Sequence, residues 1–374
     1  MRRGPAMALI LNEDEEQFQQ SVRRLVAERS PLPKLRELMS SGQPFDPEVW
    51  KQLSALGLTG LIIPAEHGGA EAGYSVLSVA FAELGAGLVA SPLLADTLAA
   101  GAVARLGDDA ALSRLLPGIA SGELIATLAV GAQLGEPQLG EHSGTARADG
   151  DALTGEIAPV LNAAQADVLL IPAAVGDATA LFEVAAGTPG LEVTPLPSLD
   201  HSRSLARVRL DGAPGRRLDG DAAAALGFAA DLANLAVASE QLGGMGACLE
   251  MTTEYAKIRA AFGRPIGAFQ GVKHRLANLR TSWELAHAAL RDAARAADER
   301  PTDFPRAACV ARIAVSASYV DAAVATVQLH GGIGFTWEHD AHLYQKNAIS
   351  QHALFGGPGE QLDRLTSLLA DAGA

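Results

Sequence analysis

The sequence predicts an α+β chain that is mainly α: a helical N-terminal domain, a middle antiparallel β-domain and a C-terminal four-helix bundle. Three observations predict this. Apolar residues recur every three or four positions from about residue 12 to 122, and again from about 219 onward. Between those regions, short runs rich in Val, Ile, Leu and Phe are cut at close intervals by Gly, Asp and Pro turns. A length of 374 residues, at about 150 residues per domain, allows two or three domains. The expected divisions are 1–122 helical, 123–218 β-barrel-like and 219–374 bundle.

Composition narrows the function. With 48% hydrophobic and 19% charged residues the chain is globular rather than disordered. Aromatics are only 5% and Ala is abundant, which favours close-packed helices over a large β-sandwich. A net charge of −14 sets the chain against nucleic acid or an anionic membrane surface as its main partner. An anionic ligand therefore needs a local basic patch. Cys248 and Cys309 sit in apolar helical patterns and read as buried thiols, not as a disulfide or metal site. No run approaches about 18 uninterrupted apolar residues, so no membrane-spanning helix is expected. The stretch Met1–Met7 is charged but lacks the apolar core of a signal peptide, which makes Met7 an alternative start and a cytoplasmic location the expectation.

Taken in order, Asn12 caps a helix over Glu13–Glu28 with Phe18, Val22, Leu25 and Val26 on one face. Asp46 caps another, with Pro47 at its first position and Gly57 at its stop. Pro64–Gly69 is a turn before an apolar helix around Val76–Leu84. Leu124–Val130, Val168–Ile171, Ala180–Val184 and Leu205–Leu210 are strand-like. The segment Ser198-Leu199-Asp200-His201-Ser202 reads as a turn, since local adjacency does not create a catalytic triad. Asp219–Asp221 reopens helix as far as Arg259, with Gly243, Gly244 and Gly246 offering a small face for close helix approach. Further helices are expected over about 270–299, 304–330 and most of 341–371.

Two strings carry the chemistry. Arg259-Ala260-Ala261-Phe262-Gly263-Arg264-Pro265-Ile266-Gly267-Ala268-Phe269-Gln270 ends one helix and starts the next. Gly263 suits a helix C′ position and Pro265 cannot continue a helix. A guanidinium held at that corner can grip a phosphate bidentately, and Gln270 adds amide hydrogen bonds. The second string, Gln328-Leu329-His330-Gly331-Gly332-Ile333-Gly334, allows main-chain amides to approach a ligand. Alone, each string is equally a helix stop. His339 and His342 form a His-x-x-His without a third ligand, so capping is preferred to a metal site.

Together the two strings resemble signatures of the acyl-CoA dehydrogenase family, Arg-x-x-Phe-Gly-x-Pro-Ile-x-x-Phe-Gln and Gln-x-x-Gly-Gly-x-Gly. Trp50, Leu56, Gly57-Leu58, Pro64 and Gly68-Gly69 also resemble that family's N-terminal domain. The resemblance covers nearly the whole chain and implies FAD across a subunit interface. Arg259, Phe262, Gln270, Gln328, Gly331 and Gly332 would contact the ADP half of FAD, and the chain would be at least a dimer.

The family oxidises an acyl-CoA thioester to the 2,3-enoyl form. A Glu in a dry pocket takes the α-proton while the β-hydrogen leaves as hydride. That Glu occupies one of two family positions. Here the matching residues are Gly356 and Ala233, with Asn234 beside the latter. Glu360 lies about one turn past the first position, Asp231 two residues before the second and Glu240 two turns beyond it. A turn is about 5 Å, so such displacements are too large for proton abstraction without compensation. Solvation or capping is expected for Asp231 and Glu360, and pairing within the bundle for Glu240. On the flavin-ring side, Gly135-Glu136-Pro137-Gln138-Leu139-Gly140-Glu141-His142 keeps Glu-Pro and Gly but loses flanking Ser and Thr. Val160-Leu161-Asn162 replaces an aromatic and a Thr or Ser.

An intact ADP half with an eroded ring half resembles the base-lacking subunit of actinobacterial heteromeric acyl-CoA dehydrogenases, which act on bulky acyl-CoAs including sterol side chains. That implies an α₂β₂ assembly with a second, complementary subunit and electron transfer to an electron-transferring flavoprotein. Three alternatives stand beside it. The first is an active homo-oligomer using a displaced acid. The second is a flavin-dependent monooxygenase, against which the ADP-gripping Arg259 and Gln270 count. The third is a cofactor-free scaffold.

Overall fold

The computed structural model describes residues 10–131 and 146–372. Six helices come first: α1 (Glu13–Arg29), α2 (Leu32–Ser41), α3 (Pro47–Ala55), α4 (Tyr74–Ala86), α5 (Leu93–Leu106) and α6 (Asp109–Ser121). The starts of α1 and α3 follow the caps expected from sequence. The Asn12 side chain accepts the Glu15 N–H at 2.8 Å, and Glu15 Oε2 accepts the Asn12 N–H at 2.9 Å. Asp46 accepts the Glu48 N–H at 2.8 Å, ahead of Pro47. The Glu15 carboxylate also reaches beyond its own helix. It is buried and accepts both bonds from the equally buried Arg291, at 2.8 and 2.9 Å, tying α1 to the C-terminal bundle. The cap is legible in the sequence and this pair is not.

The sheet runs β1 (Ala126–Leu128), β2 (Ala146–Asp149), β3 (Ala152–Leu161), β4 (Val168–Val175), β5 (Ala178–Ala185), β6 (Leu191–Leu196), β7 (Leu205–Pro214) and β8 (Arg216–Arg217). Its order is β6-β7-β3-β2-β4-β5-β8, with β1 on β4. Most pairs are antiparallel as expected, for example Leu169 opposite Val184. However, β1 and β2 both run parallel to β4, which is not legible in their short sequences.

Five helices complete the chain: α7 (Ala222–Ile258), α8 (Gln270–Glu299), α9 (Phe304–His330), α10 (Ala341–Ala353) and α11 (Pro358–Ala372). The single last helix expected over 341–371 is two helices. Phe355 and Gly356 adopt φ of 57° and 87°, and Pro358 starts the second helix, so no helix can pass through 354–357. In the middle of this region, α7 packs on α4, α5, α8 and α9. The glycines permit it. A Cβ on Gly243 would lie 1.8 Å from the Ala82 carbonyl of α4, one on Gly244 2.4 Å from the Tyr319 hydroxyl of α9, and one on Gly246 3.2 Å from Trp283 of α8.

Being enclosed, α7 is apolar all round. It and α9, with the turn that follows α9, reach the length and mean hydropathy of a membrane span, although neither holds a run of about 18 uninterrupted apolar residues. For α7, 72% of the most apolar stretch is buried inside the protein, so the core accounts for it.

The Glu15–Arg291 pair gives a direct stability test. Glu15→Ala leaves a buried guanidinium unpaired and should cost about 3–5 kcal/mol. A chemical-denaturation midpoint should fall accordingly, and Glu15→Leu with Arg291→Met should recover most of it.

Candidate functional site

The corner after α7 is a tight hairpin. Arg259 leaves the helix in an extended conformation, and Ala260–Ala261 (β9) pairs antiparallel with Arg264–Pro265 (β10). The two residues at the tip, Phe262 and Gly263, have φ of 51° and 78°, the signature of a type I′ turn. Gly263 is thus a hairpin glycine and not the helix C′ residue expected from sequence. Positive φ is needed there, but for a different reason. The Ile266 N–H donates to the Arg259 carbonyl at 2.8 Å, Arg264 lies 4.2 Å over the Phe269 ring, and Phe262 meets Phe269 edge-on. This braces the corner while leaving Arg259, Phe262 and Gln270 exposed, Phe262 at 95%.

The second string ends at the same place. The Tyr255 ring stacks on His330 at 4.3 Å, and its hydroxyl donates to the His330 carbonyl at 3.4 Å, so the end of α7 is fastened to the end of α9. Gln328, Gly331 and Gly332 are exposed beside it. Gly331 has φ 65° and ψ −142°, a conformation that needs glycine. All six expected nucleotide contacts therefore lie on one exposed end of the bundle. An exposed guanidinium with glycine amides and an amide side chain fits a diphosphate. The neighbouring His339 has the capping role expected of it: its Nδ1 accepts the Ala341 N–H at 3.1 Å at the head of α10. Arg36 of α2 grips the same link through Asp340 and the Trp337 and His339 carbonyls. Among the described residues no group of three or more His, Cys, Asp or Glu could hold a metal.

The two family base positions are elsewhere and closed. Ala233 is 1% exposed and Phe355, next to Gly356, is 5% exposed. Both belong to one continuous apolar cluster with Leu98, Leu128, Val130 and Leu161. Leu161 and Asn162 are buried at the end of β3, and the Thr127 hydroxyl donates to the Leu161 carbonyl at 2.7 Å. The segments that would border a flavin ring thus pack on core. The Gly135–His142 string lies outside the described residues. A cavity of about 910 Å³ between α1, α4, α7 and α8 is not lined by Ala233 or Gly356.

Two of the three displaced acids are buried in ion pairs and the third is exposed. Asp231 is buried, not solvated or capping as expected. Two residues turn a helix by about 200°, so it faces away from Ala233. Its carboxylate pairs with Arg364 of α11 at 2.6 Å. Burial pushes its pKa up to about 6, with Arg364 pulling the other way. Beside it, Asn234 Nδ2 donates to Gln361 Oε1 at 2.7 Å, and Gln361 Nε2 donates to the Phe355 carbonyl at 3.3 Å. Glu360 is exposed in the first turn of α11. Glu240 is on the Ala233 side two turns on. It accepts a bond within the bundle, as expected, from Gln351 Nε2 of α10 at 2.9 Å, and it also pairs outside the bundle with Arg203 from the loop after β6. Burial raises its pKa, opposed by Arg203.

The family models described as "Acyl-CoA dehydrogenase, N-terminal domain" and "Acyl-CoA dehydrogenase, C-terminal domain" match residues 12–123 and 226–364. The acyl-CoA dehydrogenase IpdE2 of Mycobacterium tuberculosis is 34% identical over 95% of this chain and 97% of its own length. The chain belongs to the acyl-CoA dehydrogenase family. Among solved structures, a variant of the Tcur3481-Tcur3483 steroid ACAD superposes with a TM-score of 0.87 at 32% identity, covering 96% of this chain and 99% of that one. The ChsE4-ChsE5 complex from Mycobacterium tuberculosis gives 0.87 at 31%, covering 97% and 98%. An acyl-CoA dehydrogenase fold with oxidoreductase relatives is therefore the frame for both ends of the site.

Asp231 supplies a pH test. Its folded pKa of about 6 exceeds the ordinary 3.8, so between those values the folded state holds more protons and stability falls as pH rises. Melting temperatures of the wild type and Asp231→Asn should diverge across that window, with only the wild type losing stability between about pH 4 and 6.

Proposed function

We propose that this chain is the base-lacking subunit of a heteromeric, FAD-dependent acyl-CoA dehydrogenase that desaturates an acyl-CoA at C2–C3. It completes the FAD site of a second, Glu-bearing subunit in an α₂β₂ assembly. One observation carries the reading: the residues suited to a nucleotide diphosphate are exposed and braced, while the positions expected to hold the base carry Ala233 and Gly356, both buried. The likeness to a ChsE4-ChsE5 complex and to a steroid ACAD made of two named parts supports a two-subunit assembly and a bulky, sterol-derived acyl-CoA. Electron transfer to an electron-transferring flavoprotein belongs to the same reading.

In this arrangement the roles of the chain are to bind and to orient. Arg259 holds the diphosphate, Gln270 and Gln328 supply amide hydrogen bonds, and Gly331 and Gly332 let main-chain amides approach. Phe262, at the hairpin tip, covers the nucleotide from the interface. FAD, once bound, supplies the hydride acceptor, and the partner subunit supplies the carboxylate that removes the α-proton.

The test uses the co-purified complex with the Glu-bearing subunit. Removing a charge-assisted phosphate contact costs about 1.5–3 kcal/mol, so Arg259→Ala should weaken FAD binding by about 10- to 100-fold while leaving the subunits assembled. Flavin content measured by absorbance checks this, and unchanged flavin content would remove the proposal. Restoring a base here should fail. Gly356 has φ 87° and a Cβ would meet Gln361 Nε2 at 3.2 Å, so Gly356→Glu should add no second active site to the complex.

A further inference from the structure

A buried polar network joins the sheet to the bundle, and the nucleotide grip does not use it. The loop after β6 is folded on itself: Asp200 Oδ1 accepts from the Ser202 N–H at 2.9 Å and from its hydroxyl at 2.7 Å. This aims Arg203 inward, where it is 9% exposed and pairs with Glu240 of α7, itself 4% exposed. Glu240 Oε2 also accepts Gln351 Nε2 at 2.9 Å. The Gln351 and Leu354 carbonyls, at the end of α10, accept from the buried Arg312 at 2.5 and 2.9 Å. On the other side of the loop, the Ser204 carbonyl accepts the Asn162 N–H at 2.9 Å.

The Arg203–Glu240 pair therefore stands where three distant segments meet. They are the end of β3 at Asn162, the Ala233 side of α7, and the end of α10 that leads to Phe355–Gly356. The loop backbone at Ser204 holds the first, while Glu240 belongs to the second and reaches the third through Gln351. Asn347 of α10 also donates to Asp200 Oδ2 at 2.8 Å and to the Ser202 hydroxyl at 3.3 Å. The three segments are those that would enclose a flavin ring if this chain had a ring site of its own.

We propose that Arg203 is a positioning residue that holds this chain's ring half-site shut, and so decides which of the two half-sites in the assembly is filled. The inference rests on the base-lacking reading above. Burying an ion pair costs desolvation, and removing one partner leaves the other charged, buried and unpaired. Loss of Arg203 alone therefore leaves Glu240 charged and unpaired at the junction and loosens the contacts of all three segments there, even though Asn347 still ties α10 to the loop. Replacing both partners by apolar side chains of similar size keeps the segments packed.

The test is hydrogen exchange on the full chain and on its complex, with riboflavin as a probe for the ring half alone, since it lacks the ADP moiety. In Arg203→Ala, amides at 160–162, 200–204 and 351–357 should exchange faster together, by about tenfold or more, while 259–270 stays as in the wild type. Arg203→Met with Glu240→Leu should return protection at all three segments and keep the protein folded. Riboflavin should not protect the lone wild-type chain. Faster exchange confined to 200–204 would overturn the proposal, as would riboflavin protection of 160–162 and 351–357 in the wild type. The base-lacking reading fails on a different result, the lone chain oxidising an acyl-CoA, so the two are separable.

Discussion

A charge in the middle of α7 needs a partner brought from somewhere else in the chain. The helix is enclosed by α4, α5, α8 and α9, and water cannot reach most of it. Its two buried acids each recruit an arginine from a distant segment: Arg364 of α11 for Asp231, and Arg203 of the loop after β6 for Glu240. Those two pairs set how the last helix and the sheet dock on the bundle. The same enclosure explains the base positions. Ala233 faces the apolar cluster shared with the N-terminal helices, where an isolated carboxylate would meet a desolvation cost with no cation to offset it.

The exposed end of the bundle obeys the opposite rule. Arg259 and Gln270 stand in solvent, and their order comes from backbone devices: an extended residue after α7, a two-residue turn at Phe262–Gly263, and the Tyr255–His330 stack. Residues around this corner are free to serve a ligand or a neighbouring subunit, whereas residues around Ala233 are committed to the interior of this chain.

What can be read from sequence follows the range of the interactions. Caps at Asn12 and Asp46, the reopening of helix at Asp221 and the need for positive φ at Gly263 are local, and local chemistry is written in a few adjacent residues. The family strings at 259–270 and 328–334 are local too. The parallel pairing of β1 and β2 with β4, the break at 354–357 and the Glu15–Arg291 and Arg203–Glu240 pairs are not legible. Each pair depends on residues tens to hundreds of positions apart. Asp231 shows the difference most clearly. Its sequence neighbours suggest a solvated or capping acid, but the three-dimensional fold buries it against Arg364.

The central claim is that half a nucleotide site survives here beside a ring site that has closed. Its most direct measurement is the flavin count of this chain purified alone and with a Glu-bearing acyl-CoA dehydrogenase subunit. The account predicts no flavin on the lone chain and two FAD per four chains in the complex, all of it reduced by a suitable acyl-CoA. One flavin on every chain, active without a partner, would contradict it.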